Sequence, residues 1–289
     1  MNAAPRPMNY RHAYHAGNFA DVFKHAALVA LLETFKSKST PFCYLDTHAG
    51  RGSYDLGGEE ALKTGEAADG IQCLLDAADL PASVRRYVDL VRSLNKQDDG
   101  NTPSRYPGSP LLADLLLRES DRAILCELQA DEADALRKLF RHRDTFHVHQ
   151  RDGYEALRGL LPPMEKRGLV LIDPPFEAQE GEFRHIEAAL EHALSRWPTG
   201  RYAVWYPIKL RRHVTPFHRW LKRHASGKAL VAEFLLHPDN SGLRLNGCGL
   251  AIVNPPWQFE QTLEKILDVL CEHLAQDHPC EKRIAVLSG

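Results

Sequence analysis

The chain has 289 residues, 44% hydrophobic and 26% charged, with 36 Lys and Arg against 38 Asp and Glu for a net charge of −2. That length suits one large domain or two and can bury a core without disulfides or metal. The balanced charge excludes a globally basic nucleic-acid coat and an acidic disordered tail, though not a local basic patch. The longest apolar run, Ala26–Leu32, is seven residues, far short of the roughly 18 that span a bilayer. Residues 1–12 hold no apolar stretch of a secretory signal, so a cytoplasmic enzyme away from membranes is expected.

Asn18 predicts the N-cap of a helix reaching about Lys38. Residues 42–46 read as a buried strand entering a glycine turn, Asp46–Gly52. The next strand begins only near Arg122. A plain dinucleotide-type unit puts its ribose-binding acid about 20 residues after the glycine turn, whereas Glu127 comes 75 residues after Gly52. A helical insertion at 54–107 accounts for the delay, with helix-like pieces at Ile71–Ala78 and Pro81–Asn95. Ser109-Pro110 then opens a helix, Ser as its N-cap and Pro in its first turn. Strands are expected at Ala123–Cys126, Phe146–Gln150, Leu169–Ile172, Tyr202–Tyr206, Phe234–His237 and Leu250–Val253. Helices at Asp131–Arg141 and Phe183–Ser195 fall between them. This alternation predicts a parallel α/β sheet in a single domain over residues 1–289.

Cys43, Cys73, Cys126, Cys248, Cys271 and Cys280 include no C-x-x-C pair and read as reduced, buried thiols. His142, His147 and His149 lie close together, but no carboxylate or cysteine completes a set at a familiar spacing. No metal is expected.

The sharpest chemical signal is Asp173-Pro174-Pro175-Phe176, an acid closing a strand and followed by two prolines and an aromatic. Each proline fixes φ and donates no N–H, so the loop is rigid and its carbonyls are free to accept. A carboxylate beside a carbonyl suits the two hydrogens of an exocyclic amine, and the ring offers a face to a planar base. The plain alternative is a helix-stopping turn. Two further strand-end acids, Glu127 and Asp152 (followed by Gly153), weigh against it. Residues 209–228 also hold seven cations and no acid: Lys209, Arg211, Arg212, Arg219, Lys222, Arg223 and Lys228, with Phe217 and Trp220 among them. Such a stripe suits phosphates; otherwise it is a solvated helix face.

This order of motifs resembles the Rossmann-like class I S-adenosylmethionine-dependent methyltransferases that modify amino groups, with a small helical insertion after the first strand as a departure. The resemblance narrows to the RlmJ family, 23S ribosomal RNA adenine-N6 methyltransferases. It is carried by Tyr10-Arg11-His12, His15-Ala16-Gly17-Asn18, Lys24-His25, Leu45-Asp46-Thr47-His48-Ala49-Gly50, Tyr106-Pro107-Gly108-Ser109-Pro110, Ile172-Asp173-Pro174-Pro175 and Asn254-Pro255-Pro256-Trp257, within residues 8–257. The resemblance implies cofactor contacts at Lys24, His25, His48, Ser109, Glu127, Asp152, Gly153 and Asp173. It implies a catalytic acid at Asp173, substrate contacts at Tyr10, Pro174 and Phe176, and a start at Met8. The family's usual Tyr is replaced by Phe176, which keeps a stacking face and loses the hydroxyl. The expected partner is 23S ribosomal RNA, naked or in an early precursor particle, bound by a monomer. Asn254-Pro255-Pro256-Trp257 is a second amine-methyltransferase pattern, but in the resembled fold its strand runs antiparallel and ends away from the ligand, so Asn254 reads as structural. Alternatives are a DNA adenine-N6 or protein glutamine-N5 methyltransferase, or an RNA-binding protein that has lost transfer.

Overall fold

The expected cap at Asn18 forms. Its side chain accepts from the amides of Ala20 and Asp21 and opens α1, Phe19–Lys36. In the computed structural model, residues 11–96, 103–176, 179–225, 229–240, 242, 244–276 and 278–287 are described. Helix α1 is apolar nearly all round because it is covered nearly all round, with Val22, Phe23, Ala26, Ala27 and Leu28 all buried.

After β1 (Cys43–Asp46) come β2 (Ser53–Asp55), α2 (Glu59–Thr64), a π-type turn at Ala68–Gln72, the short α3 (Cys73–Leu75), α4 (Ala82–Leu94) and β3 (Arg105–Pro107). β2 and β3 pair antiparallel, Ser53 with Pro107 and Asp55 with Arg105. The segment expected to be helical at 54–107 is therefore closed at its base by a two-stranded ribbon. Its Ile71, Leu74, Val84, Tyr87 and Val88 lie in the same apolar cluster as Phe23 and Ala27 of α1.

The remaining elements are α5 (Ser109–Asp114), β4 (Arg122–Glu127), α6 (Ala130–Leu139), β5 (Phe146–Gln150), α7 (Gly153–Leu160), β6 (Gly168–Ile172) and α8 (Gln179–Arg196). They are followed by β7 (Arg201–Ile208), α9 (Arg211–His224), β8 (Ala229–Leu235), β9 (Gly247–Val253), α10 (Phe259–Leu274) and β10 (Glu281–Leu287). The main sheet runs β10-β8-β9-β7-β6-β1-β4-β5. From β5 to β7 neighbours are parallel, and β9 is antiparallel to both β7 and β8. Helices cover both faces: α1, α4 and α10 share one apolar cluster, and α7, α8 and α9 the other. The chain leaves β1 toward β4 on one side and reaches β6 on the other, which is where an open α/β sheet parts its carboxyl ends to form a crevice.

Three expectations need correction. β8 starts at Ala229, not Phe234. The fully buried Glu233 interrupts its apolar run, and Arg211 Nη1 meets that carboxylate at 2.6 Å. Ser109 is the first residue of α5 with Gly108 at the cap position, and its hydroxyl donates to Asp46 Oδ2 at 2.7 Å. Finally, Cys271 and Cys280 are joined as a disulfide with Cα atoms 5.3 Å apart. The packing of α10 against β10 brings the two together, a neighbourhood their spacing does not announce.

Candidate active site

The glycine turn is set by its neighbours. Gly50 has φ +62°, and a Cβ there would stand 2.4 Å from the Tyr54 hydroxyl, so both backbone and space demand glycine. Its amide donates to Glu127 Oε2 at 2.9 Å, while Glu127 Oε1 accepts from Gln129 N at 2.7 Å. Burial raises the Glu127 pKa, against those amide bonds. Below the turn, Asp46 is fully buried and accepts from the Tyr44 and Ser109 hydroxyls and the His48 amide. Burial lifts its pKa to about 6 despite these donors. Asp152 caps α7 by accepting from the amides of Tyr154 and Glu155. Gly153 follows because a Cβ would lie 2.1 Å from the Thr47 carbonyl. This close approach lets α7 start against the end of β1.

Asp173 sits across the crevice from this turn and is tied to α1. Lys24 Nζ reaches Asp173 Oδ2 at 2.6 Å and Asp21 Oδ1 at 2.9 Å, with Lys24 only 6% exposed. Burial opposes the ammonium charge, but the two carboxylates outweigh it and hold the Lys24 pKa well above the ordinary lysine value. The same nitrogen lies 5.8 Å from the Trp205 ring centroid. Phe176 meets Trp205 and Phe183 edge-on, with centroids 6.0 and 5.4 Å away. His48 is pushed down to about 4 and His25 to about 3, in each case chiefly by burial. Both are neutral at pH 7. His25 is 1% exposed, and its Nδ1 lies 2.7 Å from the Tyr106 hydroxyl.

One crevice of about 1110 Å³ is lined by Lys24, His25, His48, Ser109, Glu127, Asp152, Gly153, Asp173, Pro174 and Phe176. These are all the expected contacts except Tyr10, which lies outside the described residues. Among the other residues lining it are His12, Asp21 and Trp205, to which the sequence assigned no site role. Asp21 stands three residues before Lys24 on α1, a spacing that brings the two side chains onto one helix face. Asn254 is not among the described lining residues. It has φ 55°, and its amide donates to the carbonyls of Pro198 and Gly200. The basic stripe is split. Arg211 is spent on Glu233, and Phe217 and Trp220 are buried, while Arg212, Arg219, Lys222 and Arg223 are exposed; Lys228 lies outside the described residues. Among the described residues no group of three or more His, Cys, Asp or Glu is placed to hold a metal ion, and no helix is long and apolar enough to cross a membrane.

The carboxylates of Glu127 and Asp152 line the crevice as hydrogen-bond acceptors, and its volume is in the range that takes small-molecule ligands. A parallel sheet parted around β1, a glycine turn over its carboxyl end and strand-end carboxylates facing one crevice define a class I S-adenosylmethionine-dependent methyltransferase. Residues 39–285 match the family model described as "Ribosomal RNA large subunit methyltransferase D, RlmJ". The chain belongs to this family. It is 39% identical over 260 residues to ribosomal RNA large subunit methyltransferase J of Escherichia coli, covering 90% of this chain and 91% of that protein. To the Haemophilus influenzae protein of the same name it is 39% identical over 270 residues, covering 93% and 95%. The crystal structure of a Legionella pneumophila protein, 37% identical, superposes with a TM-score of 0.86 over 95% of this chain and 99% of that one.

Proposed function

We propose that this ribosomal RNA methyltransferase transfers the methyl group of S-adenosylmethionine to the N6 amine of one adenosine in 23S ribosomal RNA. The observation that carries the reading is the Asp173–Phe176 loop opening on the same crevice as the glycine turn and Glu127. Asp173 Oδ2 is engaged by Lys24, and Oδ1 has no hydrogen bond among the described residues. Oδ1 and the Pro174 carbonyl are therefore the acceptors for the two amine hydrogens. An adenine amine is a poor nucleophile because its lone pair is delocalised into the ring. Holding both hydrogens out of that conjugation, with the ring against Phe176, localises the pair and aims it. Positioning of this kind is worth about 7–11 kcal/mol. S-adenosylmethionine supplies the electrophilic methyl on its sulfonium: the new N–C bond replaces the S–CH3 bond, neutral S-adenosylhomocysteine leaves, and one amine hydrogen departs as a proton to solvent. Glu127 holds the ribose hydroxyls and Asp152 the adenine amine of that donor, and Tyr10 meets the incoming nucleotide. The base leaves its helix or stack to reach the loop.

Exposed Arg212, Arg219, Lys222 and Arg223 on α9 support contact with the RNA backbone. The reading further places the chain in the cytoplasm, as a single catalytic domain acting as a monomer on naked 23S RNA or an early precursor particle. The test is incubation with radiolabelled S-adenosylmethionine and 23S RNA, 16S RNA, duplex DNA or ribosomal protein, then nucleoside digestion. Label in N6-methyladenosine from 23S RNA alone is expected. Label confined to DNA or to protein glutamine overturns the reading.

A further inference from the structure

Asp21, a buried carboxylate lining the crevice, has three partners, and helix capping accounts for only part of them. It stands three residues after the Asn18 cap, where an acid can reach back to an orphan amide, and its Oδ2 accepts from Gly17 N at 3.0 Å. The same oxygen lies 2.9 Å from His12 Nε2, and Oδ1 lies 2.9 Å from Lys24 Nζ. Asp21 is 3% exposed. Burial opposes its charge, but His12, Lys24 and His25 outweigh that and hold its pKa well below the usual carboxylate range. A cap needs neither the second oxygen nor the lysine.

The arrangement matters because Lys24 is shared. Its ammonium is strung between Asp21 Oδ1 and Asp173 Oδ2, at 2.9 and 2.6 Å. An ammonium has three hydrogens and one position. Whatever fixes it fixes which Asp173 oxygen is consumed and which faces the crevice. Remove the charge at Asp21, and Asp173 becomes the only anion touching Lys24, which then moves onto the carboxylate that should meet the substrate.

We propose that Asp21 is a positioning residue for methyl transfer: it anchors Lys24 from behind, so that one oxygen of Asp173 stays open to the target amine. Through His12 the same carboxylate links the chain before α1 to that loop. The inference rests on the reading of this crevice as the transfer site.

The test is a cycle of four proteins: wild type, Asp21→Asn, Lys24→Gln and the double variant. Asparagine keeps the size and one acceptor oxygen. Single-turnover methylation of a 23S RNA fragment at saturating S-adenosylmethionine should fall at least tenfold in Asp21→Asn. In the Lys24→Gln background the same change should cost less than twofold, because the residue through which Asp21 acts is gone. A purely structural Asp21 would lose the same factor in both backgrounds, with a matching fall in melting temperature, and that result overturns the proposal. A second measurement does not depend on activity. In protein labelled with ¹³C,¹⁵N-lysine the Lys24 side-chain resonance should titrate above the ordinary lysine range, and at lower pH in Asp21→Asn than in wild type. An unmoved midpoint refutes the anchor. A wild-type protein that shows the Lys24 shift yet moves no methyl to RNA refutes the functional reading and leaves the anchor standing.

Discussion

Replacing Glu127 with Ala separates two duties that the structure gives one side chain. The carboxylate pins the glycine turn through Gly50 N and the next loop through Gln129 N. It is also the group proposed to hold the donor's ribose. Truncation leaves two amides without their acceptor. A buried orphan donor costs about 1–3 kcal/mol, and some water can reach a residue that is 8% exposed, so the lower end applies to each. The sum is about 2 kcal/mol, or roughly 3 °C in melting temperature for a chain this long. Hydrogen bonds from a hydroxyl pair to a charged acceptor are worth about 1.5–3 kcal/mol, so S-adenosylmethionine should bind roughly 10- to 150-fold more weakly. Calorimetry with the 2′,3′-dideoxy analogue distinguishes the ribose contact from damage to the turn. Wild type should lose at least tenfold between S-adenosylmethionine and the analogue, and Glu127→Ala less than twofold. Equal losses in the two proteins would refute the ribose placement and leave Glu127 as a brace for the turn.

Asp173→Ala should abolish transfer in a single-turnover assay while cofactor affinity stays within a fewfold, whereas Asn254→Ala, which loses its contacts to the Pro198 and Gly200 carbonyls and sets alanine at φ 55°, should cost stability yet remain active when folded; the reverse pattern means the wrong Pro-Pro loop was chosen. Neutralising Arg212, Arg219 and Lys222 together should weaken RNA binding and flatten its dependence on salt, since each lost phosphate contact is a counterion not released; an unchanged slope makes α9 a solvated face. Arg211→Ala should instead act on stability, costing about 3 kcal/mol by leaving the buried Glu233 short of its closest cation, as read by chemical denaturation. His25, held at about 3 in the folded chain against 6.5 when unfolded, contributes stability that is fully present above pH 6.5 and declines as pH falls toward 3. At pH 5 the loss is about 2 kcal/mol, so His25→Gln should lose less stability than wild type between pH 7 and 5, and parallel curves would contradict the buried neutral ring.

What could be read from the sequence followed how directly each residue's chemistry depends on its neighbours in the chain. Asn18 caps through amides two and three residues away, and β1, β4 and β6 are short buried runs, so both kinds of feature were legible. Ser109 was misread because a serine before a proline has the same local signature whether it caps a helix or donates to a buried acid 63 positions earlier. Glu233 hid the first half of β8, since a charge reads as surface until Arg211 is placed beside it. Asp21 was given no role for the same reason, its partners at Lys24 and, through Lys24, Asp173 being arranged only by the fold. The cysteines offered no motif at all; Cys271 and Cys280 meet because a helix and the edge strand after it pack together.

The ribbon of β2 and β3 changes how the cofactor turn comes to be assembled. Gly50 and Glu127 are about 77 residues apart along the chain, a long loop to close by chance. Once Ser53–Asp55 has paired with Arg105–Pro107, the free chain between them shrinks to roughly 23 residues. By the logarithmic law of loop closure that shortening is worth about 1 kcal/mol. The excursion thus delivers the chain back almost to where it left, and β1 and β4 meet as though only a modest connection joined them. Pairing of the ribbon therefore lowers the closure cost of the glycine turn, and mutations that loosen the ribbon should slow its assembly, as read by refolding rates.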